Sequence, residues 1–487
     1  MKLAYKINNR TYCTMLVLLI MIAFAGCKTM KPLLTPKTAI IPESFNKKSD
    51  TASTVPLLNW RDVFTDKELR ALIDTALENN YELKSGVQRI IIAGANLKIA
   101  KGSMLPSLNA GMSAGVDRFG KYTMNGVGNY DTNLSPNVNL DQMIPSPTED
   151  YFIGFRSSWE IDIWGKLSKR KEAAYSRYLA TQMGQQWFQT QVVAQVANLY
   201  FELIALDKRA EIVKRNIALQ KKGVEIVAAQ MVGGRATALA VSQFKAQMLA
   251  TQGSEFEIRQ AISQTENKLN NLLGRFPSKI ERDTSSITKI LPDKVYAGIP
   301  AEVILRRPDV QEAELELRAA KADVSAARKA LLPSLTLNGY TGFNAFKFPL
   351  LFSPGSLASG VLGGLTAPIF NRGALKNGNK IASAAQLGAF YNYQKSILQG
   401  FEEVTTQLSA IDNYKSAYQL KTSEVRELKT ALSTANELYL AGYASYLEVI
   451  VAQGSMLNAE LEQVHLKRNS YTALINLFRA LGGNITD

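Results

Sequence analysis

The sequence contains very few of the residues on which most enzymes and metal proteins depend. Its 487 residues include two cysteines, Cys13 and Cys27, and one histidine, His465. A zinc site built from Cys and His, a Cys–His catalytic pair and a disulfide framework all need more of them. Paired carboxylates remain, since Glu160 and Asp162 share one face of a predicted strand, but no nucleophile motif or phosphate-binding loop accompanies them. The sequence therefore argues against an enzyme and predicts no metal and no cofactor.

Proline is absent from two long tracts. All 16 prolines lie outside residues 148–276 and 369–487. Because proline breaks helices and ordinary helices have about a dozen residues, these tracts predict unusually long helices. A turn at Gly234 divides the first tract, and a turn at Gly442 divides the second. The helix from Gly165 to the first turn would contain about 68 residues and measure ~100 Å, at ~1.5 Å per residue.

The first 26 residues lack acidic side chains and predict an export signal. A basic region with Lys2, Lys6 and Arg10 precedes an uncharged run that starts at Met15 and ends at Gly26. That run of about 12 residues is shorter than the ~20 that cross a bilayer as a helix. A signal peptide therefore fits better than a membrane-spanning helix.

The signal ends in Phe-Ala-Gly-Cys at residues 24–27, which resembles a bacterial lipobox. The resemblance implies that Cys27 is acylated and becomes the first residue of a lipid-anchored mature chain. Lys28 follows it, where lipoproteins kept in the inner membrane have Asp, so the outer membrane is the expected location. A plain secretory signal with an incidental cysteine is the alternative.

The rest of the chain contains two diverged copies of one unit. Met-Leu-Pro-Ser-Leu at residues 104–108 recurs as Leu-Leu-Pro-Ser-Leu at 331–335, and the turn glycines Gly234 and Gly442 match. Each copy predicts a helix, two strands and a long helical hairpin. The predicted domains are the signal peptide (1–26), a lipid-anchored tether (27–59), the first repeat (60–279), a linker (280–300) and the second repeat (301–487).

Segments before the long helices alternate between apolar and polar residues, as strands do. The clearest is 151–162, in which most odd-numbered residues are apolar; 335–343 and 358–369 follow, and 108–116 alternates less cleanly. Such strands fit a transmembrane β-barrel, although taken alone they would fit a soluble sheet equally well. Four strands cannot close a barrel and open edges are not tolerated in lipid, so we expect three chains to supply 3 × 4 = 12 strands. Between the first two strands, residues 125–147 are expected to form a loop.

From about Trp60 to Gly483 the sequence resembles the TolC family of outer-membrane efflux factors, in its OprM- and CusC-like lipoprotein branch. The most specific segment is 298–310, Gly-Ile-Pro-Ala-Glu-Val-Ile-Leu-Arg-Arg-Pro-Asp-Val. A second segment, 159–166, resembles the strand-to-helix junction of the first repeat. The residues singled out are Arg306, Arg307, Pro308 and Asp309 in the signature, expected to be structural, and Trp159, Asp162, Trp164 and Gly165 at the junction.

The resemblance implies a fold class and a function. The fold would be an α+β membrane protein, a homotrimer with a 12-stranded transmembrane β-barrel continued by a long periplasmic α-helical barrel. The chain would be the outer-membrane channel of a tripartite efflux system, a passive exit duct for small molecules. Its partners would be a periplasmic adaptor, an inner-membrane pump and outer-membrane lipid. Without the three basic residues of the signal, the mature chain has a net charge of 53 − 42 = +11. This charge would face lipid or partners and not nucleic acid, which an exported protein does not meet.

Other functions remain open at this point. The same fold would suit the outer-membrane outlet of a type I-like protein or oligosaccharide secretion system. A heptad-like apolar seam from Leu457 to Phe478 would also suit a lipid-anchored coiled-coil scaffold without a pore. Scattered methionines and the absence of His-rich tracts argue against a dedicated copper or silver exporter.

The resemblance also implies that the periplasmic end closes at the hairpin tips. Family members often carry an Asp just past the tip, but Val451 and Ala240 stand in those places. We therefore expect a looser gate of side-chain contacts, in which three copies of Glu448 would favour cations; a solvated Glu448 on an adaptor-facing tip is the alternative. The candidate tip residues are Gly234, Arg235, Gly442, Tyr443, Tyr446 and Glu448.

Overall fold

A computed structural model describes residues 40–45, 59–283 and 300–483. The predicted signal peptide, Cys27 and most of the predicted linker lie outside the described residues. The elements, in chain order, are α1 (Trp60–Val63), α2 (Lys67–Asn79), α3 (Tyr81–Gly102), β1 (Ser107–Asp117), α4 (Met124–Asn133), β2 (Thr148–Ile161), α5 (Lys166–Val232), α6 (Ala238–Leu272), α7 (Pro300–Arg306), α8 (Pro308–Lys329), β3 (Ser334–Ala345), β4 (Leu357–Thr366), α9 (Ala374–Ala441) and α10 (Tyr446–Ala480).

The two longest helices fill the proline-free tracts. α5 has 67 residues and α9 has 68, so each measures ~100 Å. Each ends at a turn that contains a glycine with positive φ, Gly234 at 71° and Gly442 at 84°. Glycine adopts this conformation without the steric cost that a Cβ brings. The 35-residue helices α6 and α10 then pack back against α5 and α9 and complete two long hairpins.

The four strands form one antiparallel sheet in the order β1-β2-β3-β4. The register aligns three glycines across it, because Gly154 of β2 pairs with Gly111 of β1 and with Gly342 of β3. β1 and β4 are the edge strands of this sheet. All eleven residues of β1 are exposed in the single chain, so this strand has a free edge and two uncovered faces.

The largest apolar cluster lies near the middle of α5, where α2, α6 and α10 pack around it. Tyr200, Leu203 and Ile204 of α5 are fully buried in this cluster. The ring of Phe201 stacks on that of Tyr471 of α10, with 4.4 Å between centroids and 10° between planes. Such stacking adds to the free energy that burial of the rings provides. This cluster holds the two hairpins together well away from their tips.

The expectation of a plain loop at residues 125–147 is wrong in part, because α4 lies there. Thr123 precedes α4, and its hydroxyl oxygen accepts a hydrogen bond from the Gly126 amide at 3.1 Å. The helix is rich in asparagine and glycine, which have low helix propensity. The sequence pattern therefore gave no signal for it.

Within the described residues, no helix combines the length and the apolar character that a membrane crossing requires.

Candidate functional site

The sheet has one apolar face and one polar face. The apolar face includes Met112 of β1, Ile153 of β2, Phe343 of β3 and Val361 of β4, which the register places on the same side. Met112 is 83% exposed and Val361 is 78% exposed in the single chain. A sheet that exposes apolar residues on one face and polar residues on the other fits a wall between lipid and water.

The polar face carries an aromatic cluster that sequence alternation did not reveal. The Arg156 guanidinium lies 4.7 Å from the ring centroid of Phe152, and the Phe152 and Tyr340 rings meet edge to face at 6.5 Å. Both rings lie close to glycines of the same sheet: a Cβ added at Gly360 would lie 2.6 Å from the Tyr340 ring, and one added at Gly154 would lie 3.1 Å from that of Phe152. Gly360, which pairs with Tyr340 from the neighbouring strand, was the available signal for that ring.

The predicted junction residues join the sheet to the long helix α5. The indole N–H of Trp159 donates to the carbonyl of Met104 at 2.9 Å, and that of Trp164 donates to the carbonyl of Pro333 at 2.7 Å. Each tryptophan therefore ties β2 or the start of α5 to a segment that leads into a neighbouring strand. Gly165, just before α5, has a φ of 73°, which suits glycine.

Asp162 satisfies the free amides at the start of α5. Its two carboxylate oxygens accept hydrogen bonds from the amides of Leu167 at 2.9 Å and Ser168 at 2.7 Å. Partial burial raises the pKa of Asp162, but a hydrogen bond with the Ser168 side chain, together with those from the backbone amides, outweighs burial and holds the pKa below its ordinary value. Asp162 thus acts as a helix cap, although Gly165 directly precedes the helix.

The signature residues form a structural cluster around Arg307. Pro308 and Asp309 occupy the first turn of α8, where a missing N–H and a negative charge are both favourable. Arg307 is 1% exposed and forms ion pairs with Asp309 at 2.8 Å and with Glu403 of α9 at 3.0 Å. Arg306 is exposed. Of the two signature arginines, Arg307 therefore makes the buried contacts.

The tip residues do not form a single cluster within one chain. Tyr443 is 86% exposed, and Arg235 is also exposed. Tyr446 packs against an apolar cluster that joins the two hairpin tips and includes Val227, Ala240, Phe244 and Val449. Ala240, at a position where the family often has Asp, is fully buried in that cluster. Its small side chain suits close packing of the tips.

Glu448 has a local structural role besides its predicted place in the gate. It forms a capping box with Ser445: the Glu448 carboxylate accepts from the Ser445 amide, and the Ser445 side chain accepts from the amide of Glu448. This arrangement satisfies free amides at the start of α10. One further polar contact joins the hairpins, since the Tyr439 hydroxyl of α9 donates to the Gln230 side chain of α5.

The carboxylates considered for catalysis are both occupied by structural contacts. Glu160 forms an ion pair with Lys166, and Asp162 caps α5 as described above. In the ranges 40–45, 59–283 and 300–483, no group of three or more His, Cys, Asp or Glu residues could hold a metal ion.

Comparison with known proteins agrees with this geometry. Residues 72–275 and 299–483 match the model of a family described as outer membrane efflux protein. The pyoverdine export outer membrane protein OpmQ of Pseudomonas putida is 30% identical over 456 residues, 92% of this chain and 93% of OpmQ. The probable outer membrane lipoprotein SilC of Salmonella typhimurium is 28% identical over 465 residues, 94% of this chain and 96% of SilC.

The structural comparison gives the same result. A crystal structure of CusC, described in terms of transmembrane channel formation, superposes with a TM-score of 0.80 at 25% identity, and the match covers 94% of this chain and 100% of that one. By sequence, the cation efflux system protein CusC of Escherichia coli (strain K12) is 26% identical over 97% of this chain and 99% of CusC.

Proposed function

The chain belongs to the outer membrane efflux protein family, and we propose that it works as a passive duct whose periplasmic end closes at the tips of its helical hairpins. It lies in the outer membrane and is the channel component of an efflux system. Three copies form a trimer, in which 3 × 4 = 12 strands close a β-barrel that long helices continue into the periplasm. The coiled-coil scaffold without a pore is therefore wrong.

One observation supports the duct most directly. A sheet with one apolar face, one polar face and free edges continues directly into helices ~100 Å long. Open edges cannot remain in lipid, so the sheet needs neighbouring copies. We propose that the chain catalyses no reaction and needs no cofactor, since its relatives are channel proteins. The division into repeats at 60–279 and 301–487 is also a proposal, supported by the same order of strands and hairpin in both halves.

We propose that a periplasmic adaptor binds the hairpin tips and connects the duct to an inner-membrane pump. Val232 and Tyr443 are 87% and 86% exposed at the two tips, and exposed apolar side chains grouped at one end suit a protein partner. Relatives named for pyoverdine export and for cation efflux match this chain over more than nine tenths of its length. That range supports a duct in which the pump selects the cargo.

Deletion of the gene tests this function. With the partner pump intact, the deletion strain should become sensitive to the pump's substrates and recover when the full chain is supplied. A strain that keeps its resistance would contradict the efflux role. Loss of an exported protein or oligosaccharide instead of resistance would support the secretion-system alternative.

The gate proposal concerns Tyr446 and Glu448, with Tyr443 and Arg235 around them. Tyr446 packs where the two hairpin tips meet, so Tyr446→Ala should loosen the closed end and raise single-channel conductance in planar bilayers. Glu448→Gln removes a negative charge but keeps an acceptor for the capping box. It should lower cation selectivity if three copies face the pore.

A matched variant separates the charge of Glu448 from its capping role. Ser445→Ala weakens the same capping box but leaves the Glu448 carboxylate in place. It should lower the stability of α10 by about 0.5–2 kcal/mol and leave cation selectivity unaltered. Wild-type conductance and selectivity in both Tyr446→Ala and Glu448→Gln would overturn the gate proposal.

We propose that acyl chains on Cys27 anchor the mature chain. The likeness to SilC, named as a probable outer membrane lipoprotein, supports this. Mass spectrometry of the N-terminal peptide should find Cys27 acylated and residues 1–26 removed. Cys27→Ser should abolish the acylation, whereas an unmodified Cys27 in the purified protein would contradict the anchor.

A further inference from the structure

A cavity of about 240 Å³ lies between the two helical hairpins, next to their tips. All four hairpin helices line it: α5 contributes Gln220, α6 contributes Phe244, α9 contributes Leu440, and α10 contributes Val449 and Gln453. The lining starts beside the tips, where Leu440 is one residue from the end of α9, and extends past Gln220, which precedes the end of α5 by about a dozen residues or roughly 20 Å. This volume far exceeds what a single water molecule needs.

Two buried glutamine side chains that line the cavity have amide atoms without a hydrogen-bond partner among the described residues. Gln220 is 2% exposed, and neither its Nε2 nor its Oε1 has a partner. Gln453, on the other hairpin, is 9% exposed, and its Oε1 has none. Native proteins pair nearly all buried polar atoms, since an unpaired one loses its contacts with water. A molecule in the adjacent cavity can supply the missing hydrogen-bond partners.

The rest of the lining is mainly apolar. Phe244 and Val449 are each 2% exposed and Val227 is 1% exposed, so they offer hydrocarbon surface next to the amides. Gly223 keeps part of the space open: a Cβ added there would lie 3.3 Å from the Phe244 ring and 4.0 Å from Nε2 of Gln453. Lys222 also lines the cavity but is an exposed residue, and no carboxylate is among the lining residues that the structure describes.

We propose that this cavity binds a small uncharged molecule with an apolar body and a carboxamide-like group. A carboxamide offers one acceptor and two donor hydrogens, which match the Oε1 and Nε2 of Gln220 in a paired arrangement. An apolar body fits the Phe244 side of the cavity. A cation would find no carboxylate in the lining that the structure describes. An anion carries no hydrogen that it can donate to the unpaired Oε1 atoms.

Such a molecule would touch both hairpins at once. Gln220 and Phe244 belong to the first hairpin, and Gln453 and Val449 belong to the second. A ligand that fits only the packed arrangement stabilises that arrangement by mass action. If the tips gate the duct as proposed above, the bound molecule therefore slows their opening. This consequence rests on the proposed function, whereas the binding itself does not.

The test uses 4-fluorobenzamide and the full chain, purified as a trimer in detergent. Fluorine NMR line broadening measures binding, and empty micelles measure partition into detergent. Fluorobenzene, which lacks the amide, and 4-fluorobenzoate, which is anionic and lacks the donor, are the matched probes. We expect 4-fluorobenzamide to bind with a dissociation constant on the order of a millimolar, as suits a molecule of its size. Its fluorine NMR line should broaden more than that of either matched probe.

Two variants locate the site and one serves as control. Gln220→Leu should weaken binding about tenfold, equivalent to ~1.4 kcal/mol. Gly223→Ala should weaken it by narrowing the cavity. Gly253→Ala, on α6 with open space around it, should bind as wild type does. Each variant is first checked for a heat-stable trimer, and a rise in wild-type melting temperature with 4-fluorobenzamide gives a second readout independent of micelles.

Three outcomes would overturn the proposal. Broadening equal to that in empty micelles means that water alone occupies the cavity. Equal binding by wild type and Gln220→Leu places the probe elsewhere. Stronger binding of 4-fluorobenzoate than of 4-fluorobenzamide would mean that the cavity prefers anions to amides. None of these outcomes bears on the Tyr446 and Glu448 conductance tests, so failure of this site and failure of the gate are distinguishable.

Discussion

The Arg307 side chain connects parts of the sequence that are far apart. Its Nη1 donates to the carbonyl of Ala480 at 2.7 Å, and its guanidinium lies 4.8 Å from the ring centroid of Trp187. Burial lowers the pKa of Arg307, but Asp309 and then Glu403 raise it more, and the net pKa lies above the ordinary value. The guanidinium therefore stays charged although it is buried.

We predict that Arg307→Met destabilises the chain by about 3 kcal/mol, because it removes a buried charge partner from Asp309 and leaves Glu403 with Arg479 alone. The measurement is thermal unfolding of the purified trimer in detergent. Arg306→Met is the matched control, since the neighbouring Arg306 is exposed and exposed substitutions usually change stability by about 0.5 kcal/mol or less. Similar losses in both variants would show that the buried contacts of Arg307 are not the cause.

Glu312 of α8 provides a pH-dependent prediction at the same scale. Burial raises the pKa of Glu312, the carboxylates of Glu316 and Asp309 raise it further, and Arg89 opposes them in part. Because the folded pKa lies above the unfolded one, ionised Glu312 disfavours folding at neutral pH, and this penalty is lost as the pH falls through the raised pKa. Glu312→Gln should therefore raise the melting temperature at pH 7.5.

The advantage of Glu312→Gln over wild type should shrink as the pH approaches about 4, where the unfolded carboxyl is also largely protonated. The measurement is a series of melting curves between these two pH values. Glu314→Gln, on an exposed position of the same helix, is the control and should show a smaller and flatter difference. An advantage independent of pH would mean that charge is not responsible.

The elements that the sequence predicted are those with strong local signals. Proline-free tracts divided by turn glycines predicted α5 almost to the residue and the end of α9 at the Gly442 turn, and alternation predicted the strands. The partners of the predicted residues could not be found in this way, because a contact such as Arg307 with Glu403 spans 96 positions and has no local pattern. Glu448 was predicted as a gate acid, and its capping box with Ser445 was overlooked although it has a recognised spacing.

The row of glycines across the sheet gives a prediction at the element scale. A Cβ added at Gly154 would lie 2.4 Å from the carbonyl oxygen of Thr341 and 2.5 Å from the Cα of Gly342. Both are backbone atoms, so the strands themselves must move apart. A Cβ at Gly111, on the neighbouring strand of the same row, meets nothing within 4 Å.

Gly154→Ala should therefore lower the heat stability of the trimer, by about 1–3 kcal/mol for each chain as overpacked sites do. The measurement is the temperature at which the trimer dissociates on a semi-native gel. Gly111→Ala adds the same methyl group to the adjacent strand and should leave that temperature close to the wild-type value. If the trimers of the two variants dissociate at the same temperature, the close approach of the β2 and β3 backbones does not determine the stability of the sheet.

The unpaired edges of the sheet determine how whole molecules must associate. Within one chain β2 and β3 separate β1 from β4, so the two edge strands are about 14 Å apart at ~4.8 Å per strand. A disulfide requires Cβ atoms about 3.5–4.5 Å apart, so cysteines placed on β1 and β4 can bond only between different chains. The sequence's own cysteines, Cys13 and Cys27, lie outside the sheet.

We predict that β4 of each chain pairs with β1 of the next chain and so closes the barrel. Leu362→Cys, on the polar face of β4, is combined in turn with a cysteine on the same face of β1, at Asn109, Gly111, Ser113 or Gly115. At least one combination should form covalent dimers and trimers on a non-reducing gel. Bands beyond the trimer should be absent, because a closed ring leaves no free edge.

Met112→Cys combined with Leu362→Cys is the matched control for this experiment. Met112 lies on the apolar face, opposite to Leu362, because side chains alternate between the faces of a sheet. This pair should therefore remain uncrosslinked even when the strands are adjacent. A ladder that continues past three chains would indicate an open assembly, and equal crosslinking by both faces would indicate random collision. A discrete trimer formed through one face alone requires that β1 and β4 meet in a closed barrel of twelve strands.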